Sequence, residues 1–302
     1  VRGFSGRTLL HQLFLLSVSL LLLQGCARPV LQTYPASEQE VQSAVSAFAR
    51  YQKIYQVECT CCLDAEVDVS ASVSAGWFSN YSGKISGYLQ AMEPGYIKFA
   101  VLNPLGQPIF IFLTSGEIFK ALNVLEGKAY TGSVHSEAFK KFSPKGFNPE
   151  FSYYWLTGRL PPGDIDILKV SRDKVQDGYW LHVRYEKSGI ESLVLFDPHE
   201  MVVLQRIIIN EKGQDEVDVV YGDYQPGYVI EKQVAEEGQK NIDSVDSREF
   251  LCRMPTKISI VSYSGAEKKI DLKFFSFIPE AEFSQDDFEL EIPDNLEELT
   301  VN

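Results

Sequence analysis

The chain has 302 residues, 45% of them hydrophobic and 23% charged, with a formal net charge of −13. That length and apolar content can bury a sizeable core, and one large all-β domain can hold it. The acidic balance argues against nucleic acid, whose phosphates repel it, makes an anionic membrane a poor electrostatic partner, and favours a basic protein.

Arg2 and Arg7 give the chain a positive start, with no acidic residue before Glu38. Leu9 to Leu23 is then almost wholly apolar, broken by His11, Gln12, Ser17 and Ser19. A transmembrane helix needs about 20 apolar residues, whereas the apolar core of a signal peptide runs roughly 7–15. The run fits the latter. It ends in Leu23-Gln24-Gly25-Cys26, which resembles the lipobox of bacterial lipoproteins. That resemblance implies a signal peptide over residues 1–25 and a diacylglycerol on the Cys26 thiol. Each buried methylene adds roughly 0.8 kcal/mol of membrane affinity, so several acyl chains make a durable tether. Ala27 follows, where enterobacterial lipoproteins retained in the inner membrane carry Asp; the likeness implies transport to the outer membrane, with the body on its periplasmic face. The alternative is an ordinary signal peptide or uncleaved anchor with a chance cysteine.

Residues 26–36, with Pro29 and Pro35, read as a tether, and residues 37–302 as one domain. Ser37-Glu38-Gln39-Glu40 has the spacing of a capping box. Val41, Val45, Phe48, Tyr51 and Tyr55 then recur at helical spacing. After residue 62 the period becomes two: Val67, Val69, Ala71 and Val73 alternate with polar residues, as in a half-buried strand. Strands are expected around Ile85–Leu89, Ile97–Val101 and Ile109–Leu113. Between 133 and 162 the alternation stops, and short helices are expected at Ser136–Phe142 and Phe151–Thr157. Strands resume at Tyr179–Tyr185, Leu193–Leu195, Val202–Ile209, Val217–Tyr221, Ile258–Val261, Ile270–Phe277 and Phe288–Ile292. The short turns between them imply antiparallel hairpins. The expected fold is mainly β: an incomplete antiparallel barrel of about ten or eleven strands, with an N-terminal helix and a helical lid. Such a sheet encloses a hydrophobic interior that is either core or cavity.

Cys59, Cys61, Cys62 and Cys252 remain besides Cys26. In an oxidising compartment, one disulfide from the first three to Cys252 is expected. A metal site is the alternative, but no His lies near the cluster.

The most informative stretch is Tyr96 to Leu113, where Asn103-Pro104-Leu105-Gly106 joins two apolar strands. Proline presets its dihedral and glycine tolerates positive φ, so both suit the turn. Leu105 sits where a polar residue is expected. Burying a leucine is worth roughly 1.5–3 kcal/mol, so it calls for an apolar partner, in its own domain or outside it.

Here the chain resembles the LolB family of outer-membrane lipoproteins, which receive lipoproteins from a periplasmic carrier and insert them into the membrane. The resemblance rests on four features in order: Cys26, the helix before the first strand, the Asn103–Gly106 tip, and Tyr154-Trp155-Leu156-Thr157-Gly158-Arg159-Leu160-Pro161. It spans roughly residues 26–225. The resemblance implies an incomplete barrel lidded by helices, a cavity for acyl chains, a LolA-like carrier as partner, and delivery into the inner leaflet of the outer membrane. The inserting role falls on Leu105. Candidates to line the cavity are Val67, Val69, Ile97, Phe99, Val101 and Phe110, with Trp155 packing the lid. The cysteine cluster and residues after 225 depart from the family pattern, which leaves lipoprotein or another lipid open as cargo.

An enzyme is not expected, nor a cofactor. No Gly-x-Ser-x-Gly elbow, phosphate loop or His-Glu-x-x-His motif occurs. His135, His182 and His199 lie in unrelated contexts, with His182 on an outer strand face. Asp164 and Asp166 read as a solvated turn. Asp286 to Glu298 carries seven carboxylates in thirteen residues, a solvated edge strand or a dock for a basic carrier. The competing reading is a β-rich envelope lipoprotein that binds or scaffolds without transporting anything.

Overall fold

The computed structural model describes residues 31–57, 59, 62–72, 83–137, 139, 149–210, 212–226, 252–263, 268–278 and 282–301. The signal-peptide region, Cys26, Cys61 and most of Ser136–Phe142 lie outside them. Contacts divide the chain into Val1–Thr33 and Tyr34–Asn302. The second unit carries the elements below, save that its first strand begins at Thr33.

Ser37 opens helix α1 (Glu38–Val57) with a reciprocal cap. Its backbone N–H donates to Glu40 Oε2 at 2.8 Å, while Glu40 N–H donates to Ser37 Oγ at 3.3 Å. Two orphan amides are thereby satisfied. The helix buries Ala44, Phe48, Tyr51, Ile54 and Tyr55. Of the expected stripe, Phe48, Tyr51 and Tyr55 are buried while Val41 and Val45 are half-buried, because the buried face is centred nearer Ala44 and Ile54.

Strands β2 (Cys62–Ser72), β3 (Gly83–Met92), β4 (Tyr96–Leu102), β5 (Pro108–Ser115), β6 (Ile118–Asn123) and β7 (Lys128–Ser133) form one antiparallel meander. A second comprises β8 (Ile165–Asp173), β9 (Tyr179–Tyr185), β10 (Glu191–Asp197), β11 (Val202–Ile209), β12 (Asp215–Gln225), β13 (Met254–Ser262) and β14 (Lys268–Phe277). The two fuse where β14 pairs antiparallel with β2, Leu272 facing Val69. With β1 (Thr33–Pro35) and β15 (Glu297–Val301) at the edges, fifteen strands make one open sheet. It is an incomplete barrel with more strands than the ten or eleven expected. The additional ones, β1, β6, β7, β8 and β15, are short or carry Lys, Asn, Gly and Glu where alternation would have marked them.

Helix α1 packs on one face of the sheet. Phe48 stands edge-on to Phe196 of β10, with ring centres 5.4 Å apart. The Tyr51 hydroxyl donates to the carbonyl of Gly158 at 3.1 Å. A second helix, α2 (Ser152–Thr157), follows a 3-10 turn at Pro149–Phe151 and buries Tyr153, Tyr154 and Trp155. Gly158 ends it at φ 67°, where a Cβ would also meet the Tyr224 hydroxyl at 2.8 Å. Cys59, just past α1, is joined by a disulfide to Cys252, just before β13. Cys62 is disulfide-bonded as well.

The C-terminal segment corrects one expectation. No strand spans Phe288–Ile292. Instead a 3-10 turn at Gln285–Phe288, capped by Ser284, leads into an extended stretch laid on the sheet face opposite α1. Phe288 packs on Tyr96 with ring centres 5.4 Å apart, and Lys120 Nζ donates to the Leu290 carbonyl at 2.7 Å. Leu122, Ala129 and Leu296 form a small core there with Ile111, Leu290 and Ile292. Pro293 cannot donate to a ladder, and the strand begins only at Glu297, running parallel to β7.

Candidate functional site

The turn between β4 and β5 is pinned by one side chain. Asn103 Oδ1 accepts from the backbone N–H groups of Leu105 and Gln107, each at 2.9 Å, and Asn103 Nδ2 donates to Gln107 Oε1 at 3.1 Å. The backbone closes as well: Asn103 N–H donates to Gln107 O at 2.8 Å and Gly106 N–H to Asn103 O at 2.9 Å. Gly106 takes φ 78°, which a side chain would resist. Held this way, Leu105 does not fold back. It is 84% exposed.

Beside the tip, on the face away from α1, Glu66, Tyr88, Leu102, Pro104 and Phe275 line a depression of about 380 Å³. Tyr88 and Phe275 are exposed aromatics. Lys273 Nζ lies 4.8 Å from the Phe275 ring centre and Lys84 Nζ 5.6 Å. Aromatic rings, with lysines over one of them, therefore line or border the depression that reaches Pro104 and Gly106 of the tip.

The other face of the same strands is apolar. Register sets Val101 opposite Phe110, Phe99 opposite Phe112 and Leu89 opposite Phe99, so these side chains share one face with Ile97. Val67 stands opposite Gly87, where a Cβ would meet the Phe99 ring at 2.8 Å. Glycine there lets the ring lie flat against the sheet. Of the lining candidates, Val67, Ile97 and Trp155 are buried in the main core, as part of the packing around α1 and α2. Val101 is buried too. Val69, Phe99 and Phe110 are only half-buried, so the accessible apolar surface lies towards β4 and β5.

Among the described residues, a small pocket lies beside α1. A pocket of about 60 Å³ is lined by Tyr51, Tyr55, Glu93, Tyr154 and Arg159, among others. That holds roughly two waters, at about 30 Å³ each in the liquid, and no acyl chain. Arg159 is buried; its Nη1 donates to the Tyr153 hydroxyl at 2.8 Å, and its guanidinium lies 5.5 Å from the rings of Tyr55 and Tyr153. Burial pushes the Glu93 carboxyl up, opposed by Arg159, whose Nη1 is 3.9 Å away. Burial likewise pushes Tyr153 up to about 12. The chemistry here is that of a locked strut between helix and sheet.

The remaining candidates are scattered. Asp166 is on strand β8, not in a turn, and pairs with Arg184 at 3.1 Å across the β8–β9 ladder. His182 Nε2 meets Glu191 Oε2 at 2.7 Å on the outer face. Among the described residues no group of three His, Cys, Asp or Glu side chains could hold a metal, and no helix is long and apolar enough to cross a membrane. Sequence reasoning passed over Arg206, a lone arginine in the apolar run Val202–Ile209 that is buried in the sheet.

No family model matches the chain, and no curated protein matches it. Solved structures do. A LolA superfamily protein from Nitrosomonas europaea is similar at 9% identity over 82% of this chain and 97% of its own, with a TM-score of 0.47. An outer membrane lipoprotein-sorting protein domain from Vibrio parahaemolyticus is similar at 14% identity over 80% and 94%, also with a TM-score of 0.47. A DUF1329 family protein from Desulfovibrio piger is similar at 9% identity over 82% and 97%, with a TM-score of 0.53. At these identities the likeness concerns the fold alone.

Proposed function

We propose that this chain is a lipid-anchored envelope protein that shelters the acyl chains of lipoproteins or lipids and delivers them into the outer membrane without covalent chemistry. The observation that carries the reading is the tip of the β4–β5 hairpin. A leucine 84% exposed on a turn fixed by the Asn103 side chain is apolar surface held in water by design of the backbone. Insertion into a bilayer would bury it, worth roughly 1.5–3 kcal/mol. Tyr88 and Phe275, with the lysines over Phe275, suit the headgroup layer beside it, where aromatic rings and long cations settle.

Behind the tip, the half-buried Phe99 and Phe110 continue the same hairpin on its apolar face. An acyl chain leaving that face would reach the tip along two strands. Anchoring through Cys26 would keep the tip near the membrane, and a LolA-like carrier would supply cargo. The test is a reconstituted transfer from loaded carrier to outer-membrane vesicles. Leu105→Glu is expected to keep fold and acyl binding while losing delivery; unchanged delivery rejects the role.

The buried side chains packed around α1 favour a second reading, a β-rich scaffold or binding module that moves no lipid. Mass spectrometry of the protein purified from cells separates the two. Co-purifying lipid supports transport, whereas its absence, together with a stable protein complex in pull-downs, supports the scaffold.

A further inference from the structure

The β8–β13 half of the sheet contains a cluster of hydrogen-bond donors that the proposed delivery does not use. Arg206 lies in the middle of β11, opposite Val194 of β10 and Val219 of β12, both completely buried. The arginine itself is 5% exposed. Its guanidinium sits 5.9 Å from the centre of the Tyr185 ring. Arg206 Nε and Nη1 have no acceptor among the described residues, and neither do the hydroxyls of Tyr185, Tyr221 and Ser192, all buried on the same face. Asp218, the carboxylate that acts on Tyr221, belongs to the opposite face, where it accepts from Gln205 Nε2 at 2.8 Å.

A guanidinium cannot give up its proton in a protein, so it remains a cation when buried. Burial pushes the hydroxyls of Tyr185 and Tyr221 up, so both stay protonated donors. Among the described residues, no carboxylate on this face meets the fixed cation and the hydroxyls. Buried donors are almost always satisfied, and a buried charge is tolerated where an opposite charge meets it. A compact oxyanion answers a forked cation and several hydroxyls at once.

We infer that Arg206, Tyr185, Tyr221 and Ser192 form a binding site for a carboxylate or phosphate group. As the polar head of an acyl ligand it would deepen the lipid-binding reading, on which that identification rests; a free anion is the other source of the same chemistry. The site would set a preference for anionic over neutral lipids, which the apolar face alone cannot supply.

Titration of the full chain with palmitate, with hexadecanol and with inorganic phosphate tests this. Palmitate is expected to bind at least about tenfold tighter than hexadecanol, the gain of one charge-assisted contact. Arg206→Met should erase that difference by weakening palmitate far more than hexadecanol. Should Arg206→Met fail to fold, Tyr185→Phe combined with Tyr221→Phe is expected to narrow the preference several-fold. A thermal midpoint raised by phosphate, and lost in the variant, without any palmitate preference supports the site with a free anion as its occupant. If neither lipid binds while phosphate still protects through Arg206, the acyl reading fails and the anion site stands. Equal binding of palmitate and hexadecanol with no response to phosphate overturns the site, as does a palmitate preference that survives Arg206→Met.

Discussion

The two halves of the sheet treat their apolar faces differently. Across β8–β13 the face under α1 is filled: Phe48, Tyr153, Leu181, Val183, Val194, Phe196 and Val219 are essentially inaccessible. Across β4 and β5 the same face is half-open, with Phe99, Phe110 and Phe112 retaining part of their surface. A protein built only to be stable would close both, since each buried aromatic adds to the fold. The difference locates the close-packed apolar core in one half and accessible apolar surface in the other. The hairpin that ends in Leu105 belongs to the half-open part.

The largest expected effect sharpens this contrast. Phe48→Ala removes a wholly buried ring packed edge-on against Phe196 and should cost about 3–5 kcal/mol in urea unfolding. Phe110→Ala, on the half-open face, should cost under about 2 kcal/mol, because less surface returns to water; equal losses would erase the distinction. Cys252→Ser comes next, at about 2–5 kcal/mol, because the Cys59–Cys252 link ties residues 193 apart beside the filled half. A thermal midpoint unmoved by the substitution would show that the link does not brace that half.

Smaller effects concern the tip. Asn103→Ala removes three hydrogen bonds of an exposed turn and should cost about 1 kcal/mol, together with a partial loss of transfer as Leu105 loses its fixed direction. Leu105→Glu should change stability by no more than about 0.5 kcal/mol, since an exposed side chain has no packing to lose; a larger shift in the urea midpoint would mean that the leucine packs in solution. The smallest effect is a pH dependence in the filled half. Burial raises the Glu93 carboxyl, so the folded chain holds that proton more tightly than the unfolded one. Stability should fall as pH rises through the unfolded glutamate value, about 4.3, and level off above the folded value. Glu93→Gln should flatten that step in unfolding curves taken across the acid range.

Much of this was legible in the sequence because each face has its own period. Val67 and Val69 alternating with Asp68 and Ser70 marked β2, and the Ser37–Glu40 cap with Phe48, Tyr51 and Tyr55 marked α1. The Asn103–Gly106 turn was legible because Asn, Pro and Gly each have a geometric role there. The C-terminal segment was not. Phe288, Leu290 and Ile292 alternate as a strand does, yet their partners lie on the outer face of the sheet, a contact that periodicity cannot reveal. Strands β6 and β7 hid for a related reason: Leu122 and Ala129 face the small core under that segment, while Phe119 and Ala121 face the other side. The division between core and accessible surface was equally hidden. Val67 and Phe99 both read as inward-facing, and only packing against α1 separates the buried valine from the half-open ring.

Saturation binding of a fluorescent fatty acid to the full chain, repeated with Phe99→Glu, Phe110→Glu and Leu105→Glu, probes the half-open face most directly. Saturable binding that disappears with either inward charge and persists with the charge at the tip is the predicted result. No saturable binding to the unaltered chain, or binding indifferent to Phe99 and Phe110, would contradict it.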